Sequence, residues 1–115
     1  MAYDEVLANR VRTALGKTPD IEEKKMFGGL LFLVRGKMCV SVGKERLMCR
    51  IDPAISDDAV RRDGCRAVVM KGRKLRGYVH VDRDLVKTRR GLDYWVGLAL
   101  DYNVRTGPPA VKRKR

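Results

Sequence analysis

Hydrophobic and polar residues alternate along the first half of this chain in a pattern that predicts short β-strands joined by tight turns. Between residues 24 and 52, glycine-containing turns at Gly28-Gly29, Gly36 and Gly43 separate four extended runs. The predicted strands cover residues 24–27, 30–34, 38–42 and 47–52. The run Leu30–Val34 contains no polar residue, which predicts burial on both faces of the sheet or a very apolar core face.

Apolar residues at three- and four-residue spacing predict helices on both sides of these strands. One helix is predicted over residues 4–16, and Gly16 is predicted to end it. Ser56 is predicted to cap a second, short helix that runs to Arg62. Thr88 or Asp84 is predicted to cap a last helix. Its inward-facing residues are predicted to be Leu92, Trp95, Val96, Ala99, Leu100 and Asn103.

Two more extended runs, residues 66–70 and 78–81, flank a turn-rich basic segment after the second helix. Antiparallel strands with helices before, between and after them define an α+β fold. We therefore expect an antiparallel sheet of about six strands, in the element order α-β-β-β-β-α-β-β-α. One folded domain is expected over residues 1–104. Residues 105–115 are expected to form a flexible basic tail, because two prolines disfavour helix and four consecutive charges disfavour a core.

The segment Lys25-Met26-Phe27-Gly28-Gly29 is the most distinctive motif of the sequence. One of its two glycines is expected at positive φ, because a tight hairpin turn requires a conformation that glycine adopts without strain. Phe27 is expected in the core or at an apolar seam between the sheet and a helix. The motif is therefore interpreted as structural.

The same motif resembles the start of the amino-terminal domain of the TfoX/Sxy family of competence regulators. The resemblance continues through the turn Gly36-Lys37-Met38 to a final helix with Trp95, and it covers most of residues 1–104. It implies a domain in which helices pack on one side of a bent antiparallel sheet. It also implies a role in the regulation of transcription, exerted through a protein partner.

Positive charge is concentrated in one part of the chain. The sequence has 26 Lys and Arg against 14 Asp and Glu, a net charge of +12, and residues 61–90 alone have eleven against three. Such a surface attracts polyanions by neutralising phosphates, and it is also typical of a solvated surface that keeps a small protein soluble. The candidate nucleic-acid-binding residues are Arg61, Arg62, Lys71, Arg73, Lys74, Arg76, Arg89, Arg90, Lys112, Arg113, Lys114 and Arg115.

The sequence contains no recognisable arrangement of residues typical of catalysis or metal binding. His80 is the only histidine, and its place in an alternating strand predicts a side chain that faces solvent or a partner. Cys39, Cys49 and Cys65 lack CxxC spacing, and the first two fit best as small apolar residues of the sheet. We therefore expect no enzyme activity, no cofactor and no metal.

These observations favour a non-enzymatic regulatory or interaction domain that binds a protein partner. The alternative is direct, largely non-specific binding of nucleic acid through the basic 61–90 face and the tail. The longest apolar run, Leu30–Val34, is far shorter than a membrane-spanning helix, so we expect a cytoplasmic protein without a membrane segment. A monomer or a weak homodimer is expected, and because positive charge opposes dimerisation through residues 61–90, any dimer should use the first helix or a sheet edge.

Overall fold

A computed structural model describes residues 3–26 and 28–106 of the chain. The helices are α1 (Glu5–Leu15), α2 (Pro53–Ala59) and α3 (Arg89–Arg105), and a 3₁₀ turn covers Arg83–Val86. The strands are β1 (Ile21–Met26), β2 (Gly29–Val34), β3 (Lys37–Val42), β4 (Arg46–Arg50), β5 (Cys65–Met70) and β6 (Arg73–Asp82). The predicted α+β class and the predicted order of elements are confirmed.

The six strands form one antiparallel sheet in the order β1-β2-β3-β4-β6-β5. Tight turns connect β1 to β4 as a meander, whereas the chain leaves the sheet after β4 through α2 and returns as β5 at the far side. Strand β6 then runs between β5 and β4, so that His80 pairs with both Arg66 and Met48. Within the described residues, β1 and β5 are the edge strands.

Burial alternates along the strands, so one face of the sheet carries the core and the other face stays open. In β2, Leu30, Phe32 and Val34 are buried, whereas Leu31 and Leu33 are half-buried. Helix α3 contacts β3 and β4, and α1 contacts α3, which places the helical layer over the buried side chains. Burial of the run Leu30–Val34 on both faces is therefore wrong, because successive side chains of a strand point to opposite faces and only one face is covered.

Helices α1 and α3 begin at capping residues. The Asp4 carboxylate accepts a hydrogen bond from the Leu7 N–H at 3.0 Å, and the Thr88 hydroxyl accepts one from the Gly91 N–H at 3.0 Å. Both bonds satisfy backbone donors that have no partner inside the helix, and Thr88 is confirmed as the cap of α3. Within α3, the residues Leu92, Trp95, Val96, Ala99 and Asn103 are buried as predicted, and Leu100 is half-buried.

Helix α2 begins earlier than predicted. Asp52 caps it by accepting a backbone hydrogen bond at 2.9 Å, and Pro53 occupies the first turn. Proline suits this position because its fixed φ is helical and its missing N–H would have no partner there. Ser56 is buried inside the helix, where its hydroxyl accepts a hydrogen bond from the Gly77 N–H of β6 at 3.4 Å. The predicted Ser56 cap and the predicted extension of this helix to Arg62 are therefore wrong.

The last turn of α3 is attached to the sheet and to α2. The Asn103 side chain donates a hydrogen bond to the Val34 carbonyl oxygen at 3.1 Å. One residue beyond the predicted domain boundary at residue 104, Arg105 forms an ion pair with Asp52 at 3.0 Å. The end of α3 is thus held by residues distant in sequence.

Candidate interaction surfaces

The two glycines of the Met26–Gly29 segment have different structural roles. Gly28 has φ +75° and open space where a side chain would lie, so its backbone conformation makes the turn between β1 and β2. A Cβ atom on Gly29 would lie 2.9 Å from the Val42 carbonyl oxygen, so this glycine permits the close approach of β3. The predicted positive φ is confirmed at Gly28. Lys25 and Met26 are exposed, and the predicted burial of Phe27 falls outside the described residues.

The open face of the sheet, opposite the helices, presents one residue from each strand in a single row. Strand pairing places these residues side by side in the order Lys24, Leu31, Ser41, Met48, His80 and Arg66. Directly paired residues on neighbouring strands point to the same face, so the row crosses the whole sheet. Its four central residues are half-buried, and the two cations at its ends are exposed.

A groove of about 350 Å³, the open-face groove, lies along this row. Its lining residues are Met26, Gly28, Gly29, Leu31, Ser41, Gly43, Arg46, Met48, Met70 and His80. Met26 and Met70 belong to the two edge strands and are 42% and 51% exposed. Methionine is unbranched and polarizable, so it packs against apolar groups of different shapes. The groove therefore combines accessible apolar surface with an adaptable lining.

His80 lies in the middle of the open face, as predicted for a side chain directed away from the core. Burial lowers the pKa of His80, Arg46 and Arg66 lower it further, and Asp82 opposes them. The neutral imidazole is therefore favoured in the folded chain near neutral pH. As the pH falls through the ordinary histidine range, the unfolded chain takes up a proton before the folded chain does, so acidification reduces stability.

The hairpin of β5 and β6 presents a cluster of cations at its tip. Met70 pairs with Arg73, so Lys71 and Gly72 form a two-residue turn with φ +52° and +77°. Positive φ at both central residues is the type I′ geometry, whose twist matches that of the flanking strands. The exposed cations of this region, the hairpin tip, are Lys71, Arg73, Lys74 and Arg76. None of them forms an ion pair with another described residue.

The other predicted basic residues lie away from the hairpin tip. Arg61 is 3.8 Å from Asp58, and the Arg62 guanidinium lies 4.9 Å from the centre of the Tyr94 ring. Arg89 and Arg90 are the first residues of α3. Strand β6 is ten residues long, and α3 follows the end of β6 that is opposite the hairpin tip. Ten extended residues span roughly 30 Å, so the hairpin tip and the start of α3 are separate basic clusters. Lys112, Arg113, Lys114 and Arg115 are outside the described residues.

The cysteines are buried and have no activated thiol. Burial raises the pKa of the Cys39 thiol to about 12 and also raises the pKa of Cys49, so the reactive thiolate is disfavoured. Both fit the prediction of small apolar residues in the sheet. Among residues 3–26 and 28–106, no three His, Cys, Asp or Glu side chains are grouped to hold a metal ion. No helix in the same ranges is long and apolar enough to cross a membrane.

The open-face groove was not identified from the sequence. One signal for it is present in β2, where Leu31 and Leu33 lie out of phase with the buried residues of the strand. A second signal is Met48, which alternates with the buried Leu47 and Cys49. Apolar residues that lie out of phase with the core face of a half-buried strand indicate accessible apolar surface on the other face.

Comparison with known families agrees with the motif and with the fold. The model of the TfoX N-terminal domain matches residues 13–102, which include all six strands and parts of α1 and α3. Searches among curated proteins and among solved structures gave no match. Because the family model covers most of the chain and the fold agrees with the one that the motif implies, this chain belongs to the TfoX N-terminal domain family, a family of regulatory, non-catalytic domains.

Proposed function

We propose that this chain regulates transcription by binding a protein partner through the open face of its sheet. The observation that carries the proposal is the open-face groove, where Met26, Leu31, Met48 and Met70 are accessible opposite the helical layer. Accessible apolar side chains are removed from water when a partner covers them, so this groove can contribute to an interaction site. Family membership supports the regulatory role, and the resemblance to competence regulators supports the link to transcription.

The proposed state of the domain is a cytoplasmic monomer or weak homodimer. A net charge of +12 opposes the association of two copies of the chain, and added salt would screen this repulsion. Equilibrium sedimentation at low and high salt tests this state. We expect a monomer at low salt and at most weak dimerisation at high salt, and a stable dimer at low salt would contradict the proposal.

Affinity capture from an extract of the native cells, with and without nuclease, tests the protein-partner function. Met48→Gln replaces the apolar side chain at the centre of the open face, and Val104→Gln makes a matched change on α3, where Val104 is 60% exposed. We expect the same protein to be captured by the wild type and by Val104→Gln after nuclease treatment, and to be lost from Met48→Gln. Capture by all three chains, or loss of every captured protein after nuclease treatment, would contradict the proposal.

A second candidate function, direct and largely non-specific binding of nucleic acid, is favoured by the hairpin tip. Its exposed cations have no ion-pair partner among the described residues, so phosphates would not have to displace an existing ion pair there. We expect duplex DNA to bind with micromolar or weaker affinity that falls steeply with salt. Replacement of Lys71, Arg73 and Lys74 by Glu should weaken this binding more than replacement of Arg89 and Arg90 by Glu. If DNA does not shift in a low-salt gel, only the protein-partner function remains.

A further inference from the structure

We propose that the open-face groove recognises a partner segment that is acidic and carries large apolar side chains. This inference rests on the proposed function, because it specifies the chemistry of a protein partner bound at that surface. Two features of the described residues carry it, the apolar centre of the groove and the excess of cations around it.

The centre of the groove is formed by Leu31 and Met48, with Met26 and Met70 on its two sides. The two central residues are half-buried, so part of their apolar surface is in contact with water and would be covered by a bound side chain. A volume of about 350 Å³ lies at the small end of the range for ligand pockets. The groove therefore fits a few large apolar side chains of a partner.

Cations outnumber carboxylates around this apolar centre. Arg46 belongs to the lining, and Asp82 is its partner on β6, but the two side chains form no ion pair. Lys24 and Arg66, at the two ends of the row, are paired with Glu22 at 3.9 Å and with Asp82 at 3.5 Å. Long, solvent-accessible pairs of this kind contribute little free energy, so both cations can exchange them for carboxylates of a partner.

The hairpin tip extends the positive region beyond the groove. Met70 lines the groove, and the exposed Lys71 follows it directly in the chain. A bound segment that covers Met70 would therefore meet the cations of the hairpin tip as well. Carboxylates on that segment would gain attraction at both places, and lysines on it would be repelled.

A second copy of the chain fits this surface less well. It would bring a further net charge of +12 to an already basic surface. An acidic peptide with apolar side chains is complementary to both the charge and the apolar centre.

Selection from a random peptide library displayed on phage, with the full chain as the target, tests this inference. We expect the enriched peptides to have net negative charge and to contain Leu, Ile, Met or Phe. A synthetic, fluorescein-labelled version of an enriched peptide is then titrated with wild-type and variant chains by fluorescence anisotropy. Thermal melts of each variant establish that it is folded.

The variants are chosen so that the apolar and the charged contributions are measured separately. Met48→Gln should weaken binding about tenfold or more, as expected for a central contact of an interface, whereas Val104→Gln should leave it unchanged. Arg46→Glu and Arg61→Glu change the net charge equally, but only Arg46 lines the groove. Arg46→Glu should therefore weaken binding several-fold more than Arg61→Glu does.

Failure of this inference can be told apart from failure of the proposed function. Enrichment of basic or uncharged peptides, or equal weakening by Arg46→Glu and Arg61→Glu, would overturn the acidic specificity. If capture of the cellular partner depends on Met48 but not on Arg46, the open face is the partner surface and the inferred chemistry is wrong. If capture depends on neither residue, the proposed function itself fails.

Discussion

Gly77 of β6 offers a sharp test of how the sheet is joined to α2. Its φ is +87°, and a Cβ atom at this position would lie 2.9 Å from the Ile51 carbonyl oxygen and 3.2 Å from a ring carbon of Pro53. Its own carbonyl oxygen accepts a hydrogen bond from the Ile51 N–H at 2.6 Å, and its N–H donates to the Ser56 hydroxyl at 3.4 Å. A methyl group at Gly77 would therefore push against the segment that leads into α2.

The expected cost of Gly77→Ala is the sum of two effects. A left-handed backbone conformation costs an alanine about 1–2 kcal/mol relative to glycine. Relief of the backbone contact requires a shift of the chain around Ile51, which costs about 1–3 kcal/mol in a well-packed region. Alanine also restricts the unfolded chain and recovers about 0.4–1 kcal/mol, so the free energy of unfolding should fall by about 1–5 kcal/mol.

Urea denaturation and calorimetry of three glycine variants measure this cost. For a domain of this size a loss of 1 kcal/mol lowers the melting temperature by about 4 °C, so Gly77→Ala should melt about 4–20 °C lower. Gly72→Ala has a similar φ of +77° without any atom within 4 Å, so only the backbone cost and the gain from the unfolded chain remain, and it should cost about 0–1.6 kcal/mol. Gly97→Ala, in α3 with open space around it, should stabilise the chain by about 0.5–1 kcal/mol. If Gly77→Ala costs no more than Gly72→Ala, the close approach to Ile51 is not what requires a glycine.

Three further predictions concern the first turn, the histidine and the end of α3. Gly28→Val places a β-branched residue at φ +75° and should lower the free energy of unfolding by about 1–3 kcal/mol in urea, and an unchanged midpoint would contradict the assigned strain. Because the folded-state pKa of His80 is lowered, the melting temperature should fall between about pH 7 and about pH 5, and His80→Gln should reduce that fall. Identical pH profiles of the two chains would assign the effect to other groups. A chain that ends at Thr106 keeps the 3.0 Å ion pair of Arg105 and should melt like the full chain, whereas one that ends at Val104 should melt lower in calorimetry. Equal melting of both truncated chains would show that the ion pair adds nothing measurable.

Local patterns predicted most of the secondary structure. The Thr88 cap, the β-turn at Gly28 and the alternation of Leu47 and Cys49 with Met48 depend on residues only a few positions apart. Turn and cap preferences act over the same short distances, because they arise from backbone φ and from hydrogen bonds to nearby N–H groups. These elements were therefore accessible from the sequence.

The second helix illustrates a competition that local preference alone did not resolve. Asp52 and Ser56 are both suitable caps, and the structure uses Asp52 together with Pro53. Ser56 is instead buried against β6, where its hydroxyl accepts a hydrogen bond from the N–H of Gly77, a residue 21 positions away. The choice between the two caps thus depends on a contact with a strand that lies later in the sequence.

The candidate site depended on the tertiary structure more than the fold did. The sequence by itself determined the α+β class, the glycine turns, the core stripe of α3 and the concentration of positive charge in residues 61–90. Tertiary structure decided that β5 lies outside β6, that the helices cover one face of the sheet, and that Leu31, Met48 and His80 meet on the other. It also separated the hairpin tip from the start of α3 along the length of β6. The physical reason is that the two-residue period of a strand determines which face each residue occupies. Strand pairing and helix packing join residues far apart in sequence, and they determine whether that face is buried or accessible.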